Sequence, residues 1–272
     1  MAEARMTLPV VRTFGETSRR DQWWLQPLVV FLGLSTFIVY STWAAFQNAH
    51  YFTSFTKEGS NYLSPFYSPE LFGGSPHAVF GDKPTWWPAW LLFSPAFLIL
   101  WAPGGFRFTC YYYRGAYYKA FWADPPNCSV GEPRKSYWGE RTLPLILQNI
   151  HRYFLYLALL FLVFLSWDVV KACRFQGSSG VRFGIGVGTL VLLGNVILLG
   201  GYTLGCHSFR HLVGGVLDTL SSSPNRHKVY DCVSCLNRKH MAWAWCSLIW
   251  VGFSDVYVRM CSMGYWTDFR II

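Results

Sequence analysis

Charged side chains are scarce in this sequence. They make up 14% of its 272 residues, against about 25% in an ordinary soluble domain. Apolar residues reach 52%, and aromatic residues alone account for 19%. A soluble enzyme is therefore not expected, and we predict that lipid surrounds much of the chain.

Common sequence signatures of enzymes are also missing. There is no Walker phosphate-binding loop, no dinucleotide-binding fingerprint, no HExxH motif and no long repeat. The amino-terminal arm lacks the apolar core and cleavage site of a secretory signal peptide, so the first membrane helix is expected to direct insertion. The net charge of +9 does not indicate nucleic-acid binding, because the basic residues fall between apolar runs and form no single soluble patch.

Long apolar runs are what the chain has instead. A hydrocarbon layer about 30 Å thick needs about 20 apolar residues per helix, and five stretches meet this requirement. Pro88 and Pro95 interrupt the second, as is tolerated where neighbouring groups satisfy the freed carbonyls. We predict an all-α, five-helix transmembrane bundle, with residues 1–272 forming one integral membrane domain. The predicted helices cover residues 27–46, 86–103, 152–172, 183–205 and 241–261.

Lys and Arg are divided unevenly between the two faces of this bundle. The amino-terminal arm and the connections 104–152 and 206–240 hold 16 of the 23, and the opposite face holds seven. The positive-inside rule then predicts a cytoplasmic amino terminus and an outer carboxyl terminus. We expect a multi-pass protein of the cell inner (plasma) membrane.

Ionisable residues near the outer ends of the helices are candidates for a functional role, because placing such groups in lipid costs free energy. Asp168 is predicted to pair with Lys171 or Arg174. Asp255 and Arg259 stand one helical turn apart and are predicted to pair with each other. Their alternative role is a proton path to a quinone, or the path of a transporter. The connection 48–84 is expected to form an ordered cap on the bundle.

Cysteine and histidine converge where the fourth and fifth helices meet the cytoplasm. The fourth helix ends in GCHSFRH, and DCVSCLNRKH precedes the fifth. The cytoplasm is reducing, so these cysteines are expected to be free thiols or metal ligands. Two cysteines with two histidines suit zinc, or a Rieske-like [2Fe–2S] cluster. The six candidate ligands are Cys206, His207, His211, Cys232, Cys235 and His240.

Two sets of four ligands are compatible with this pattern. The spacing Cys-x4-His occurs twice and favours Cys206, His211, Cys235 and His240. The competing set combines His207 and His211, one turn apart on one helix, with the cysteines at 232 and 235.

Haem is a further option, since histidines in helical bundles commonly ligate it. Four histidines lie next to the inner ends of the predicted helices, whereas the outer side has only His50 and His77. A second, outer haem therefore lacks ligands, and a single inner b-type haem would leave the cysteines unexplained. The inner histidines are His151, His207, His211 and His240.

The segments GCHSFRHLVGG and CLNRKHMAWAWCSLIWVGFSDVYVR resemble the membrane-anchor subunit of actinobacterial, mycobacterial-type succinate dehydrogenase, respiratory complex II. The five-helix plan and the length fit this family over nearly the whole chain. The histidine placement departs from the di-haem cytochrome b anchors that play a similar role in other succinate dehydrogenases.

The resemblance implies a partnership with a flavoprotein subunit and an iron–sulfur subunit, in the tricarboxylic acid cycle and electron transport. It implies electron relay through a Rieske-like [2Fe–2S] centre to a membrane quinone, menaquinone in such organisms, and no succinate oxidation by this chain alone. The alternatives are a single-haem b-type anchor of the same complex, a non-redox transporter, and a zinc-stabilised scaffold.

Overall fold

Helices dominate the computed structural model, which describes residues 13–53, 62–133, 147, 150–177, 180–215, 219 and 222–272. One unit contains the described residues of Met1–Thr36 and Phe108–Gln148, and a second contains those of Phe37–Arg107 and Asn149–Ile272. The assignment of one domain to the whole chain stays a prediction.

Within the described residues, four helices are long and apolar enough to cross a membrane. The shortest has 18 residues and rises about 27 Å, close to the hydrocarbon thickness. These helices confirm four of the five predicted stretches. They are α1 (Leu25–Gln47), α5 (His151–Ala172), α6 (Val187–Leu204) and α9 (His240–Ser262).

The remaining predicted stretch, 86–103, is not one continuous helix. Its first part forms turns, and helix begins only with α2 (Pro95–Ile99) and α3 (Trp101–Phe108). Ser94 is extended, as the residue before a proline prefers to be, and Pro95 suits the first helical turn. From 95 to 108 the chain rises about 21 Å, which is short of the membrane thickness. The fifth span therefore stays a prediction.

The remaining elements are short. In the first unit, the Tyr-rich run after Cys110 forms α4 and a π-helix, and the amino-terminal arm binds the loop that follows, with Gly15 and Glu16 hydrogen-bonded to Gly131. In the second unit, a two-stranded antiparallel hairpin joins α5 to α6. The bounds are α4 (Tyr111–Tyr117), π-helix (Tyr118–Trp122), β1 (Arg174–Gly177), β2 (Gly180–Phe183), α7 (His207–Gly214) and α8 (Pro224–Arg238).

Helices α6 and α9 pack through two glycine–tryptophan contacts spaced seven residues apart on each helix. A Cβ atom on Gly201 would lie 2.6 Å from the Trp243 ring, and one on Gly194 would lie 3.0 Å from the Trp250 indole nitrogen. Small residues allow such close approach in membrane bundles. Trp250 also donates a hydrogen bond from Nε1 to the Val191 carbonyl, at 2.9 Å.

The described part of the connection 48–84 forms an ordered cap on the second unit, as predicted. Tyr51 stacks on Tyr67 with ring centroids 4.1 Å apart. The Tyr51 hydroxyl donates to buried Glu70 at 2.9 Å, and burial beside this carboxylate raises the pKa of Tyr51. The Ser68 hydroxyl donates to Asp168.

Asp255 and Arg259 form the buried ion pair that their spacing predicts. Arg259 Nε lies 2.7 Å from Asp255 Oδ2, and both side chains are almost wholly buried. Asp255 also accepts hydrogen bonds from Tyr40, at 2.6 Å, and from Ser64. Arg259 donates to two backbone carbonyls at the end of α1. The pair therefore joins α1, the cap and α9.

His77 in the cap gives a pH-dependent prediction. Burial lowers its pKa from 6.5 to about 4, and the charge of Lys171 adds to the effect. Between about pH 4 and pH 6.5, His77 is protonated in the unfolded chain but neutral in the folded protein. Its contribution to the free energy of unfolding is therefore complete near pH 7 and is lost as the pH falls. We expect about 2 kcal/mol to be lost by pH 5. His77→Phe should reduce the difference between thermal midpoints at pH 7 and pH 5, whereas exposed His227→Phe should not. An unchanged difference in the His77 variant would contradict the prediction.

Candidate functional site

Several helix ends meet at one end of the second unit. Helices α5 and α9 begin there, α6 ends there, and α7 follows with Cys206 as its N-cap. The amino termini of α5, α7 and α9 therefore lie in this region together with the carboxyl ends of α6 and α8. We call this region the site end and the opposite one the cap end.

Cys206 and His151 are in direct contact at the site end. The Cys206 Sγ atom lies 3.1 Å from His151 Nε2, and both residues are 2% exposed. The His151 ring stacks on Phe106 of α3, with centroids 4.7 Å apart and planes inclined by 8°. The imidazole is thus held in one orientation against the thiol.

His240 is held in a similar way on the neighbouring helix. Its ring stacks on Tyr202 of α6, with centroids 5.0 Å apart and planes inclined by 16°. Tyr202 makes an edge contact with Phe106 at 5.4 Å, and Phe106 in turn stacks on His151. Two imidazoles and one thiol therefore share a compact aromatic environment.

Arg107 brings a cation to this environment. Its guanidinium lies 4.7 Å from the centre of the Tyr202 ring. It donates to the Ser247 hydroxyl at 2.9 Å and to the Ala244 carbonyl at 3.3 Å. These contacts on α9 fix the direction of the side chain.

The two segments predicted to converge do lie together. Asn237 donates to the Gly205 carbonyl at 2.8 Å, and Arg210 of α7 donates to Ser234 of α8 at 3.0 Å. Among the residues that the structure describes, however, no three Cys, His, Asp or Glu side chains are grouped closely enough to hold a metal. Both predicted sets of four ligands stay predictions.

The other candidate ligands are more open than Cys206. His207 and His211 are exposed on α7, with ring centroids 6.1 Å apart and planes nearly perpendicular. Cys232 and Cys235 are exposed free thiols on α8.

His151 is the residue of this site that sequence reasoning undervalued. The sequence identifies His151 only as one of the inner histidines considered for haem, because no cysteine lies near it in the chain. Phe106, Arg107 and Tyr202 also carried no local signal. Their contacts join helices far apart in sequence, and only the packing of α3, α5 and α6 shows them.

A cavity of about 170 Å³ lies beside these residues. Arg107 and Tyr202 line it at the site end, and Ser41 adds a hydroxyl group from α1. The rest of its lining is mainly apolar, as in most small-molecule sites. Apolar lining residues include Phe66, Leu100, Leu162, Leu165, Leu199 and Val251.

These features define a helical membrane protein with a thiol, two imidazoles and a cation next to an apolar cavity. The family model described as actinobacterial succinate dehydrogenase subunit SdhC matches residues 25–264. The chain belongs to this family, and it is a membrane subunit of a succinate dehydrogenase complex. It is a multi-pass protein of the inner membrane.

A solved structure agrees with this assignment. The chain is similar to one from the Mycobacterium smegmatis Sdh1 complex in the apo form, at 40% identity and a TM-score of 0.86. The match covers 99% of this chain and 97% of that one. No curated protein matches the sequence.

Proposed function

We propose that this subunit receives electrons from an iron–sulfur partner at its site end and delivers them to a quinone in the adjoining cavity. The observation that carries the proposal is the contact of Cys206 with His151, beside His240 and the Arg107 end of the cavity. The family supplies the context, because its members are succinate dehydrogenase subunits.

The residues present fit a Rieske-like [2Fe–2S] centre in the chemistry of their donor atoms. Such a centre takes two thiolates and two imidazoles, and its histidine ligation raises the reduction potential above that of an all-cysteine cluster. Cys206, His151 and His240 would supply three of the four ligands only after their side chains move closer together, because no three such groups among the described residues are close enough to hold a metal. The sequence pattern proposes His211 in place of His151 and Cys235 as the second thiolate, with His207 and Cys232 as substitutes.

A buried donor near the site supports the same proposal. Trp243 stands one turn after His240 on α9, and its Nε1 atom is buried with no hydrogen-bond partner among the described residues. The equivalent nitrogen of Trp250 has a backbone acceptor. A bound anionic group would give the Trp243 N–H an acceptor, and an unmade hydrogen bond at a buried donor costs about 1–3 kcal/mol.

The chain's own side chains would do three things. Phe106 and Tyr202 orient the imidazoles by stacking and exclude water from them. Arg107 places a fixed cation at the cavity, where it can donate to a quinone oxygen and stabilise the negative charge that develops on reduction. The apolar walls accept the ring and tail of an isoprenoid quinone, which the family resemblance implies to be menaquinone.

The partners proposed are the flavoprotein and iron–sulfur subunits of the complex. Helix α8 exposes basic side chains at the site end, including Lys228 and Arg238. This end would face the cytoplasm, where a soluble iron–sulfur subunit can dock. Copurification in mild detergent tests the partnership.

The orientation is a separate prediction. Because basic residues are concentrated in the amino-terminal arm and in the connections 104–152 and 206–240, we expect reporter fusions after Asn127 and after Arg226 to report the cytoplasm. A fusion after Arg182, in the α5–α6 connection at the cap end, should report the outside. Reversal at any two positions would overturn the proposed topology.

Iron and acid-labile sulfide analysis of the purified complex tests the centre. If the centre is present, each complex should contain two more iron atoms and two more sulfides than the partner subunits hold. The reduced complex should also give a Rieske-like electron paramagnetic resonance signal. Substituting Cys235 and Cys232 one at a time would then identify the second thiolate. A stoichiometric excess of zinc without extra iron would indicate the scaffold alternative.

A single b-type haem is the second candidate for this end. The observation in its favour is the pair of neighbouring imidazoles, His151 and His240, since two histidines commonly serve as axial ligands in bundle haem proteins. A b-type absorption spectrum without the Rieske-like signal would establish it. A transporter is not favoured, because Asp255 and Arg259 pair with each other.

Arg107 offers a test of the quinone cavity. We expect Arg107→Met to lower kcat/KM for quinone about tenfold to a hundredfold, the effect of losing a hydrogen bond from a charged donor. Arg210→Met is the control, because Arg210 binds Ser234 and stacks on Tyr230 outside the cavity lining. Succinate oxidation with a soluble acceptor should persist in both variants. Equal losses in both variants would argue against a role for Arg107 in the cavity.

A further inference from the structure

Residues 79–92 form an exposed aromatic segment of the second unit, which we call the Trp-rich segment. It has the sequence VFGDKPTWWPAWLL and joins the cap to α2. Trp86 is 65% exposed, Trp90 is 85% exposed and Phe80 is 66% exposed. Hydropathy assigned part of this segment to a membrane helix, yet it folds otherwise.

The backbone of the Trp-rich segment excludes it from contact with hydrocarbon. It forms turns, with the Trp87 amide bonded to Pro84 and the Leu91 amide bonded to Pro88. Turns leave backbone N–H and C=O groups outside a regular ladder, and each such group costs several kcal/mol in lipid tails. Polar Asp82 lies in the same stretch and needs water or headgroups.

The side chains, in contrast, disfavour bulk water. Trp86 and Trp90 are large rings with little protein cover, and they are followed by Leu91 and Leu92, which are 40% and 53% exposed. Burying apolar area contributes roughly 25 cal/mol per Å². Contiguous exposed apolar patches therefore mark surfaces that contact a membrane or another protein.

The lipid–water interface meets both demands. At the depth of lipid headgroups, polar backbone groups are solvated while aromatic rings remain in an apolar layer, and Trp is enriched there for this reason. The segment continues directly into α2 through buried Ser94, so it lies where the apolar helices meet the cap. Lys83, which lies 5.9 Å from the Phe93 ring centre, would supply a cation for anionic headgroups.

We propose that the Trp-rich segment lies in the lipid–water interface at the cap end and anchors the cap to the membrane. Its partner is the headgroup layer of the bilayer, and neither another polypeptide nor the hydrocarbon core covers it. The anchor holds the cap, and through Asp255 and Arg259 the ends of α1 and α9, at a fixed depth.

Depth measurements on the whole complex in lipid vesicles test the proposal. In the variants Trp86→p-acetylphenylalanine and Trp90→p-acetylphenylalanine, the ketone of the new side chain is labelled with a ketone-reactive nitroxide. Collision rates with oxygen, which concentrates in lipid tails, and with a water-soluble nickel chelate report depth. Ile249, exposed on α9, is the hydrocarbon reference, and exposed Gly74 in the cap is the water reference.

The expected result is a depth at the headgroups for positions 86 and 90, with both collision rates intermediate between the references. Rates equal to those at Gly74 would place the segment in water and overturn the proposal. Rates equal to those at Ile249 would place it in hydrocarbon, with the same consequence. Protection from both reagents would show that a subunit or a second copy of the chain covers it, which also overturns the proposal. Copurification of each labelled variant with the other subunits in mild detergent confirms an assembled complex.

Discussion

The His151→Ala variant is expected to lose electron delivery to quinone by more than about 100-fold, because it removes an imidazole in contact with Cys206. Succinate oxidation with a soluble acceptor should survive, since we propose that this chemistry resides on a partner subunit. The Rieske-like resonance of the reduced complex should disappear together with the extra iron. These measurements separate loss of the centre from loss of assembly.

His211→Ala is the matched control for that prediction. His211 is a predicted ligand from the doubled Cys-x4-His spacing, but it is exposed on α7, so we expect the signal to persist. A lost signal in His211→Ala and a retained one in His151→Ala would restore the ligand set read from sequence. A retained signal in both variants would exclude both histidines. His240→Ala should remove the signal if the ligands include His151 or if they follow the doubled Cys-x4-His spacing, because His240 belongs to both of these sets.

The second large effect is expected at the buried ion pair of the cap end. Arg259→Met leaves the Asp255 carboxylate buried without its guanidinium partner, and breaking such a pair costs about 3–5 kcal/mol. We expect a strong fall in the thermal midpoint in detergent and in the yield of assembled complex. The double variant Arg259→Met with Asp255→Leu should recover part of the loss, because no buried charge is left uncompensated.

An exposed pair on α8 provides the control. His227 Nδ1 lies 3.8 Å from Asp231 Oδ2, and both side chains are more than half exposed. Exposed ion pairs contribute about 0–1 kcal/mol, so Asp231→Asn should change the midpoint little. If Arg259→Met were equally mild, Asp255 would have another compensating partner and the structural role given to the pair would be wrong.

Local sequence patterns were sufficient for features that depend on neighbouring residues. Apolar length alone predicted α1, α5, α6 and α9, because a helix in lipid satisfies its own backbone hydrogen bonds. The spacing of four between Asp255 and Arg259 predicted their pairing for the same local reason. The segment at 86–103 is apolar enough for a membrane helix, but Pro88 and Pro95 interrupt the helical backbone, and helix begins only at Pro95.

The candidate site depended on contacts that local patterns do not encode. The motifs around Cys206 and His240 directed attention to the end of the bundle where the structure brings Cys206 and His151 into contact, because residues at successive helix ends meet when helices alternate in direction. The neighbour of Cys206, however, is His151, 55 residues earlier in the chain, which no spacing rule connects to it. Sequence by itself determined the membrane helices and the cysteine–histidine character of one end. Tertiary packing decided which imidazole touches the thiol, where Arg107 points and that a cavity lies beside them, because each of these depends on how separate helices meet.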